Sequence, residues 1–423
     1  MLNTLKTLLK FGLLAMTSLL AYVSPAQSQT YLSLDTCLIL ANQNYPQVRQ
    51  YRLLEQSSDF SIANAQKGKL PQIHVVGQAS YQSEVTSLPS GGSSISKDQY
   101  KLYADITQPL TDIGVINQRK RILENQNELD KASLNIQMYQ LNSRVSDLYF
   151  GALLLQNQLV QTDLTRSNLN AGIQAVEAAV KYGVALESNL EVLQAERLTL
   201  LQRQIEQEAS LDGFQKMLSL FIGVELNEAI QLQKQLEVPL LASEINRPEL
   251  SLFTGQLNGI ALQNELLTKS NRPKLNLFLQ TGFGRPALNF LSNDFDPYYI
   301  GGVRFSWKIS SYFTSANQRQ LFAVNEQWIE SEKETFLFNT NLALERQQTE
   351  VLKMQRLIIQ DKEIITLREK IVRTSKNQLA NGVITANDYQ KAVVAEDLAR
   401  QNNVLHEIEL LKIINDYKII AGN

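Results

Sequence analysis

The chain has 423 residues, enough for two or three ordinary domains, and its 44% apolar and 19% charged content excludes both a disordered chain and a bundle of membrane-spanning helices. Its 40 basic against 42 acidic residues leave a net charge of −2, so there is no electrostatic reason to expect nucleic acid. Two histidines far apart, His74 and His406, and one cysteine, Cys37, without a His-x-His or Cys-x-x-Cys context, argue against a metal or cofactor centre and against an enzyme of the zinc or general-base kind.

Residues 1–28 show the three parts of a secretory leader: Lys6 and Lys10, an apolar run from Phe11 to Val23, and Ala26-Gln27-Ser28 with small residues at the cleavage positions. Cleavage is expected after Ser28. The apolar run is about 13 residues, short of the roughly 20 that a spanning helix needs. Cys37 follows Leu34-Asp35-Thr36, which lacks the small residues of a lipoprotein cleavage site, and as the sole thiol it can form no internal disulfide. After the leader no stretch approaches a transmembrane helix, so membrane residence would require a β-barrel.

Two stretches, 110–238 and 298–423, contain no proline, as long helices demand, since proline costs about 3 kcal/mol in a helix interior. In the first, Leu134, Met138, Leu141, Val145, Leu148, Ala152, Leu155, Leu159, Thr162, Arg166, Leu169, Ile173, Val176 and Val180 keep a strict 4,3 spacing, broken in character only by Thr162 and Arg166. The second carries Leu337, Leu344, Val351, Ile358, Ile365, Val372 and Leu379, one aliphatic every seven residues. Stripes this long predict coiled-coil packing. Helices over 112–181 and 315–380 would each be on the order of 100 Å long. Gly183 and Gly382 end them, Asn189 and Asn387-Asp388 suit a restart, and return arms are expected over 188–220 and 387–420.

Each long helix follows a predicted β-hairpin, over 72–110 and 274–309. In the first, Ile73, Val75, Gly77, Ala79 and Tyr81 oppose His74, Val76, Gln78, Ser80 and Gln82, and Ser87 to Ser96 forms the turn. In the second, Leu275, Leu277, Leu279, Thr281 and Phe283 share a face, and the partner carries Tyr299, Val303, Phe305, Trp307 and Ile309 on one side. Lys69-Leu70-Pro71-Gln72-Ile73 recurs as Asn271-Arg272-Pro273-Lys274-Leu275, and Gly183-Val184 as Gly382-Val383, about 200 residues later. The chain thus divides into a first repeat over 29–247 and a second over 248–423, each reading helix, strand, strand, long helix, turn, helix.

Four strands cannot close a membrane barrel, whose smallest members have about eight, and an open edge cannot face lipid. Three chains would close twelve strands and gather their helices into a tube. The expected fold class is an α+β membrane protein: a β-barrel with four strands per chain, twelve-stranded if trimeric, continuous with a long helical coiled-coil barrel.

Tyr182-Gly183-Val184 followed by Leu190-Glu191-Val192-Leu193-Gln194-Ala195-Glu196, and Asn381-Gly382-Val383-Ile384-Thr385 leading to Asp388-Tyr389, resemble the repeat signatures of the TolC-like outer-membrane efflux proteins. The resemblance covers essentially the whole mature chain. It implies a homotrimer in the bacterial outer membrane, in contact with its lipid, with a large periplasmic portion. It also implies docking to a periplasmic adaptor protein served by an inner-membrane RND or ABC transporter, in multidrug efflux or type I secretion. The adaptor would meet the turns, where Gly183, Val184, Ala185, Leu186, Gly382, Val383, Ile384 and Thr385 offer a small, weakly polar surface. Family members narrow at this end, and acidic residues of the second repeat ring the aperture. Six residues past the glycine is Asp388; the next acidic position is Lys391 here. In the first repeat the matching residue is Glu191 if Val192-Leu193-Gln194-Ala195 is the anchor, or Asn189 if Gly183 is. The arginine and tyrosine of the family's latch are replaced by Ile384 and Leu379.

Two other readings compete. A periplasmic adaptor would carry one helical hairpin between halves of a lipoyl-like β domain, whereas two hairpins and four strands are expected here. A metal-ion efflux component would use the same conduit, but no His- or Met-rich tract favours it. Tyr81, Phe283, Tyr299 and Trp307 are candidates for an aromatic belt.

Overall fold

The computed structural model describes residues 30–86, 95–226, 230–234 and 244–422. The leader expected over 1–28 and most of the turn between Ser87 and Ser96 lie outside the described residues. In chain order the elements are β1 (Thr30–Leu32), α1 (Leu34–Asn44), a 3-10 turn (Pro46–Val48), α2 (Arg49–Lys67), β2 (Gln72–Tyr81) and β3 (Asp98–Pro109). There follow α3 (Ile113–Lys181), α4 (Glu187–Ile222), β4 (Ile230–Leu232), α5 (Pro248–Ser270), β5 (Lys274–Arg285), β6 (Asp296–Ser306), α6 (Ser311–Ala380) and α7 (Ala386–Ala421). Helices α3 and α6 run for 69 and 70 residues, free of proline throughout.

The chain forms two compact units. One holds 1–45, 140–242 and 345–419; the other holds 46–139, 243–344 and 420–423.

In the first unit the heptad stripes are the core. Leu141, Val145, Ala152, Leu169, Ile173 and Val176 of α3 are buried, as are Val351, Ile358 and Val372 of α6. Burying a leucine or valine of this kind contributes about 1.5–3 kcal/mol, so the repeat pattern itself supplies the driving force for packing. Strand β1 pairs with β4 in parallel, Thr30 opposite Ile230 and Leu32 opposite Leu232. The Tyr149 hydroxyl of α3 lies 2.9 Å from the Leu32 carbonyl oxygen and 2.7 Å from that of Gln233, fixing this short ribbon to the helix. Three-residue strands leave no periodicity to read, and the ribbon is absent from the sequence expectations. Ser33 accepts from the Thr36 N–H at the start of α1, a cap that satisfies an otherwise orphan donor.

In the second unit β2-β3-β5-β6 form one antiparallel sheet. At its helical end the fully buried Gln118 of α3 donates to the Leu262 carbonyl of α5 at 2.8 Å and accepts from Lys269 Nζ at 2.7 Å. The expectation that Trp307 and Ile309 continue the β6 face is corrected: β6 ends at Ser306. Trp307 Nε1 donates to the Asn271 carbonyl at 3.1 Å, and the Tyr312 hydroxyl donates to the same oxygen at 3.2 Å. This doubly engaged acceptor turns the chain out of the sheet, and α6 begins at Ser311, four residues earlier than expected.

Candidate functional site

Both long helices end in the same hydrogen-bonded reversal. At the first, the Val184 N–H donates to Ala179 O at 2.8 Å and the Gly183 N–H to Val180 O at 2.9 Å. At the second, the Val383 N–H donates to Gln378 O at 2.8 Å and the Gly382 N–H to Leu379 O at 3.0 Å. This six-to-one, five-to-two pattern needs a left-handed residue after the helix, and Gly183 and Gly382 supply it with φ of 72° and 69°.

The helices restart at Glu187 and Ala386, ahead of the positions expected from Asn189 and Asn387-Asp388. Leu186 stands at the first N-cap with no side-chain bond. At the second, Thr385 and Asp388 cap reciprocally: Asp388 N–H donates to Thr385 Oγ1 at 3.2 Å, while Asp388 Oδ2 accepts from the Thr385 N–H at 3.2 Å and its hydroxyl at 2.7 Å. The hydrogen bonds from Thr385, then the charge of Lys391, hold the Asp388 carboxyl below the usual carboxylate range. Each N-cap lies three residues past its glycine. Counted from the caps, Asn189 and not Glu191 occupies the position of Asp388.

The two turns flank one cluster. Leu169, Ile173 and Val176 of α3, Leu193 and Leu200 of α4, Val372 of α6, and Ala386, Tyr389, Ala392 and Val393 of α7 are buried together, with Val180, Leu190, Leu379 and Ile384 packed against them. Ile384 is partly buried and packs against this cluster. Val184, Leu186 and Val383 are exposed, as is Tyr182.

Farther along the same helices, buried polar groups join the hairpins. Asp397 of α7, 4% exposed, accepts from the Thr165 hydroxyl of α3 at 2.8 Å and from Arg203 of α4. Thr162, which breaks the apolar stripe, donates to Gln207 at 3.0 Å. His406 pairs with Asp361 of α6 through Nδ1 at 2.6 Å, and Glu407 pairs with Lys234.

In the sheet unit the register separates a mainly apolar face, which also holds Asp98, Gln108, Thr281 and Arg285, from a more polar one, which also holds Val76, Tyr103, Phe278, Tyr298 and Ile300. Ile73, Val75, Ala79, Tyr81, Leu102, Ala104, Ile106, Leu275, Leu277, Leu279, Phe283, Tyr299, Val303 and Phe305 share one face. His74, Gln78, Lys101, Asp105, Thr107, Lys274, Asn276, Gln280 and Arg304 share the other. Apolar members such as Val75, Leu102, Phe283, Tyr299 and Phe305 are exposed within the chain. No helix among the described residues is long and apolar enough to cross a membrane. Among those residues there is also no cluster of three or more His, Cys, Asp or Glu that could hold a metal ion.

Residues 38–220 match the outer membrane efflux protein family. The fold aligns with the CmeC outer membrane channel of Campylobacter jejuni at a TM-score of 0.67 and 13% identity, over 92% of this chain and 85% of that one. Over residues 38–220 the chain is similar to that family, and over most of its length it has the fold of outer membrane channels. Two further channels share the fold: VceC of Vibrio cholerae, at 0.67 and 12% over 92% and 96% of the two chains, and the open state of MtrE of Neisseria gonorrhoeae, at 0.67 and 13% over 92% and 88%. At these identities the likeness speaks for the fold alone. No curated protein matches the chain in sequence.

Proposed function

We propose that three copies of the chain close a twelve-stranded barrel in the outer membrane and form the passive exit conduit of a tripartite efflux pump or type I export system. The two-faced register carries this reading. An apolar face left exposed within the chain suits lipid, a polar face suits a water-filled lumen, and the free edges of β2 and β6 demand pairing with further strands. The ordered pairs of strand hairpin and helical hairpin, one before and one after residue 247, support an internal duplication. A periplasmic adaptor, fed by an inner-membrane RND or ABC transporter, would dock on the exposed Val184, Leu186 and Val383 of the two turns. Asp388, Asn189 and Lys391 are the candidates for the aperture, where threefold symmetry would bring like charges together; Glu191 lies two residues past the matching cap position.

Purification from outer membranes and reconstitution in planar bilayers test this. A heat-sensitive trimer on gels and stepwise ion conductance are expected. A soluble monomer without conductance would overturn the reading.

A further inference from the structure

The apolar face of the sheet carries charge only at its loop end. There Arg285 of β5 stands opposite Tyr100 of β3, in the row beyond Phe283 and Leu102, and Asp98 of β3, opposite Tyr81, lies on the same face one row further. Its guanidinium lies over the Tyr100 ring at 5.5 Å and the Phe295 ring at 5.4 Å, and these rings stack on each other at 6.0 Å. Nη2 donates to Ser96 Oγ at 3.1 Å and to the Asp98 carbonyl at 3.5 Å. Nε is buried without a partner. Nη1 has no hydrogen bond among the described residues, and no described carboxylate lies within 4.0 Å of the group.

A guanidinium that is always charged, packed against two stacked rings and with no described carboxylate at ion-pair distance at the border of an apolar surface, is arranged for an anion that arrives with an apolar body. We propose that Arg285, with Tyr100 and Phe295, binds a phosphate group of the phosphorylated glycolipid of the outer leaflet, whose acyl chains then lie along Phe283, Leu102 and Tyr299. The proposal rests on the reading that the apolar face meets lipid. The rings pay no reorganisation on binding because the cation already occupies them, and the fork geometry of arginine suits a phosphate better than a point charge does. A free phosphate would satisfy Nη1 but leave the apolar surface bare.

The test is the thermal stability of the purified, detergent-solubilised oligomer with added lipid. A ligand that binds only the folded form raises the midpoint. Diphosphorylated lipid A should raise it; chemically dephosphorylated lipid A and inorganic phosphate at equal concentration should not. Arg285→Gln should abolish the rise while its lipid-free oligomer still forms, and Arg285→Lys should keep part of it. An equal rise with dephosphorylated lipid A overturns the proposal on the unmodified protein alone, whatever the variants do. So does a full rise in Arg285→Gln. An equal rise with inorganic phosphate reduces the site to a free-anion site and overturns the lipid assignment. Failure of the lipid-free protein to form an oligomer would instead strike the channel reading, which separates the two.

Discussion

The ring of Tyr389 fills the space that a side chain at residue 172 would need: a β-carbon on Gly172 would stand 2.4 Å from Tyr389 Cε1. The tyrosine is fully buried, and its hydroxyl donates to the Asn168 carbonyl at 3.0 Å, so one side chain of α7 both fills a groove on α3 and is tethered to it. Gly172→Ala should destabilise the helical unit by about 1–3 kcal/mol through overpacking, offset by about 1 kcal/mol of helix propensity. In a Tyr389→Ala background the same change should become stabilising, since the ring no longer opposes it. Denaturation followed by helical circular dichroism reads both signs. A Gly172→Ala loss unchanged by removal of the ring would show that the contact is not its cause.

Asp397 and Arg203 form an unequal pair, because the carboxylate is buried and the guanidinium side chain is a third exposed. Arg203→Met strands a buried charge with Thr165 as its remaining donor, and should cost about 3 kcal/mol. Asp397→Asn leaves an arginine able to turn to water, and should cost about 1–2 kcal/mol. The same denaturation measurement on the two variants and the double variant gives the coupling. Equal losses would mean that the charge of Asp397 is not what Arg203 serves.

Asp388 presents a separable pair of roles. As a cap, its carboxyl is depressed in the folded chain, so the stability it adds is present above the unfolded carboxylate value of about 3.9 and is lost as pH falls through the lower folded value. As a gate residue it would act by charge. Thr385→Val should weaken the cap and leave cation preference in single-channel recordings unchanged, whereas Asp388→Asn should reduce cation preference and block by multivalent cations. Preference unchanged in Asp388→Asn removes this residue from the aperture.

Cys37 is fully buried, and burial pushes its thiol up to about 12. Since the thiolate is the reacting species, the native protein should resist maleimide near neutral pH and label fully once unfolded. The chain would then serve as a silent background for surface cysteines such as one at Ser90, whose labelling in intact cells reports on loop orientation. Rapid labelling of the folded wild type would contradict the burial.

The sequence made the helices legible through what they lack and what they repeat. Without proline, and with an aliphatic every third or fourth residue in α3 and every seventh in α6, both could be placed within a few residues, and the buried Val145, Leu169, Val351 and Val372 are members of the stripes. The interruption at Thr162 also marks something real, a buried bond to Gln207. What stayed hidden depends on partners far away in the chain. Arg203 and Asp397 are 194 residues apart, and neither has a local pattern that announces the other. The N-cap at Thr385 was missed because Asn387 and Asp388 are good capping types in isolation, although the threonine-to-aspartate spacing of a reciprocal cap was present. Trp307 looked like a strand residue by alternation, but its acceptor on Asn271 decided otherwise.

Strands β2 and β6 each leave a row of backbone donors and acceptors unpaired within the chain. In hydrocarbon each such group costs on the order of several kcal/mol, so by the proposed stoichiometry a lone chain has no inserted state in which to wait for company. On that proposal insertion and assembly would be one kinetic event, steep in chain abundance: a small fall in supply would remove channels disproportionately, and a surplus chain would accumulate in the aqueous compartment rather than as a half-built pore. The open edges would thereby act as a safeguard on permeability, because no incomplete barrel would persist to leak.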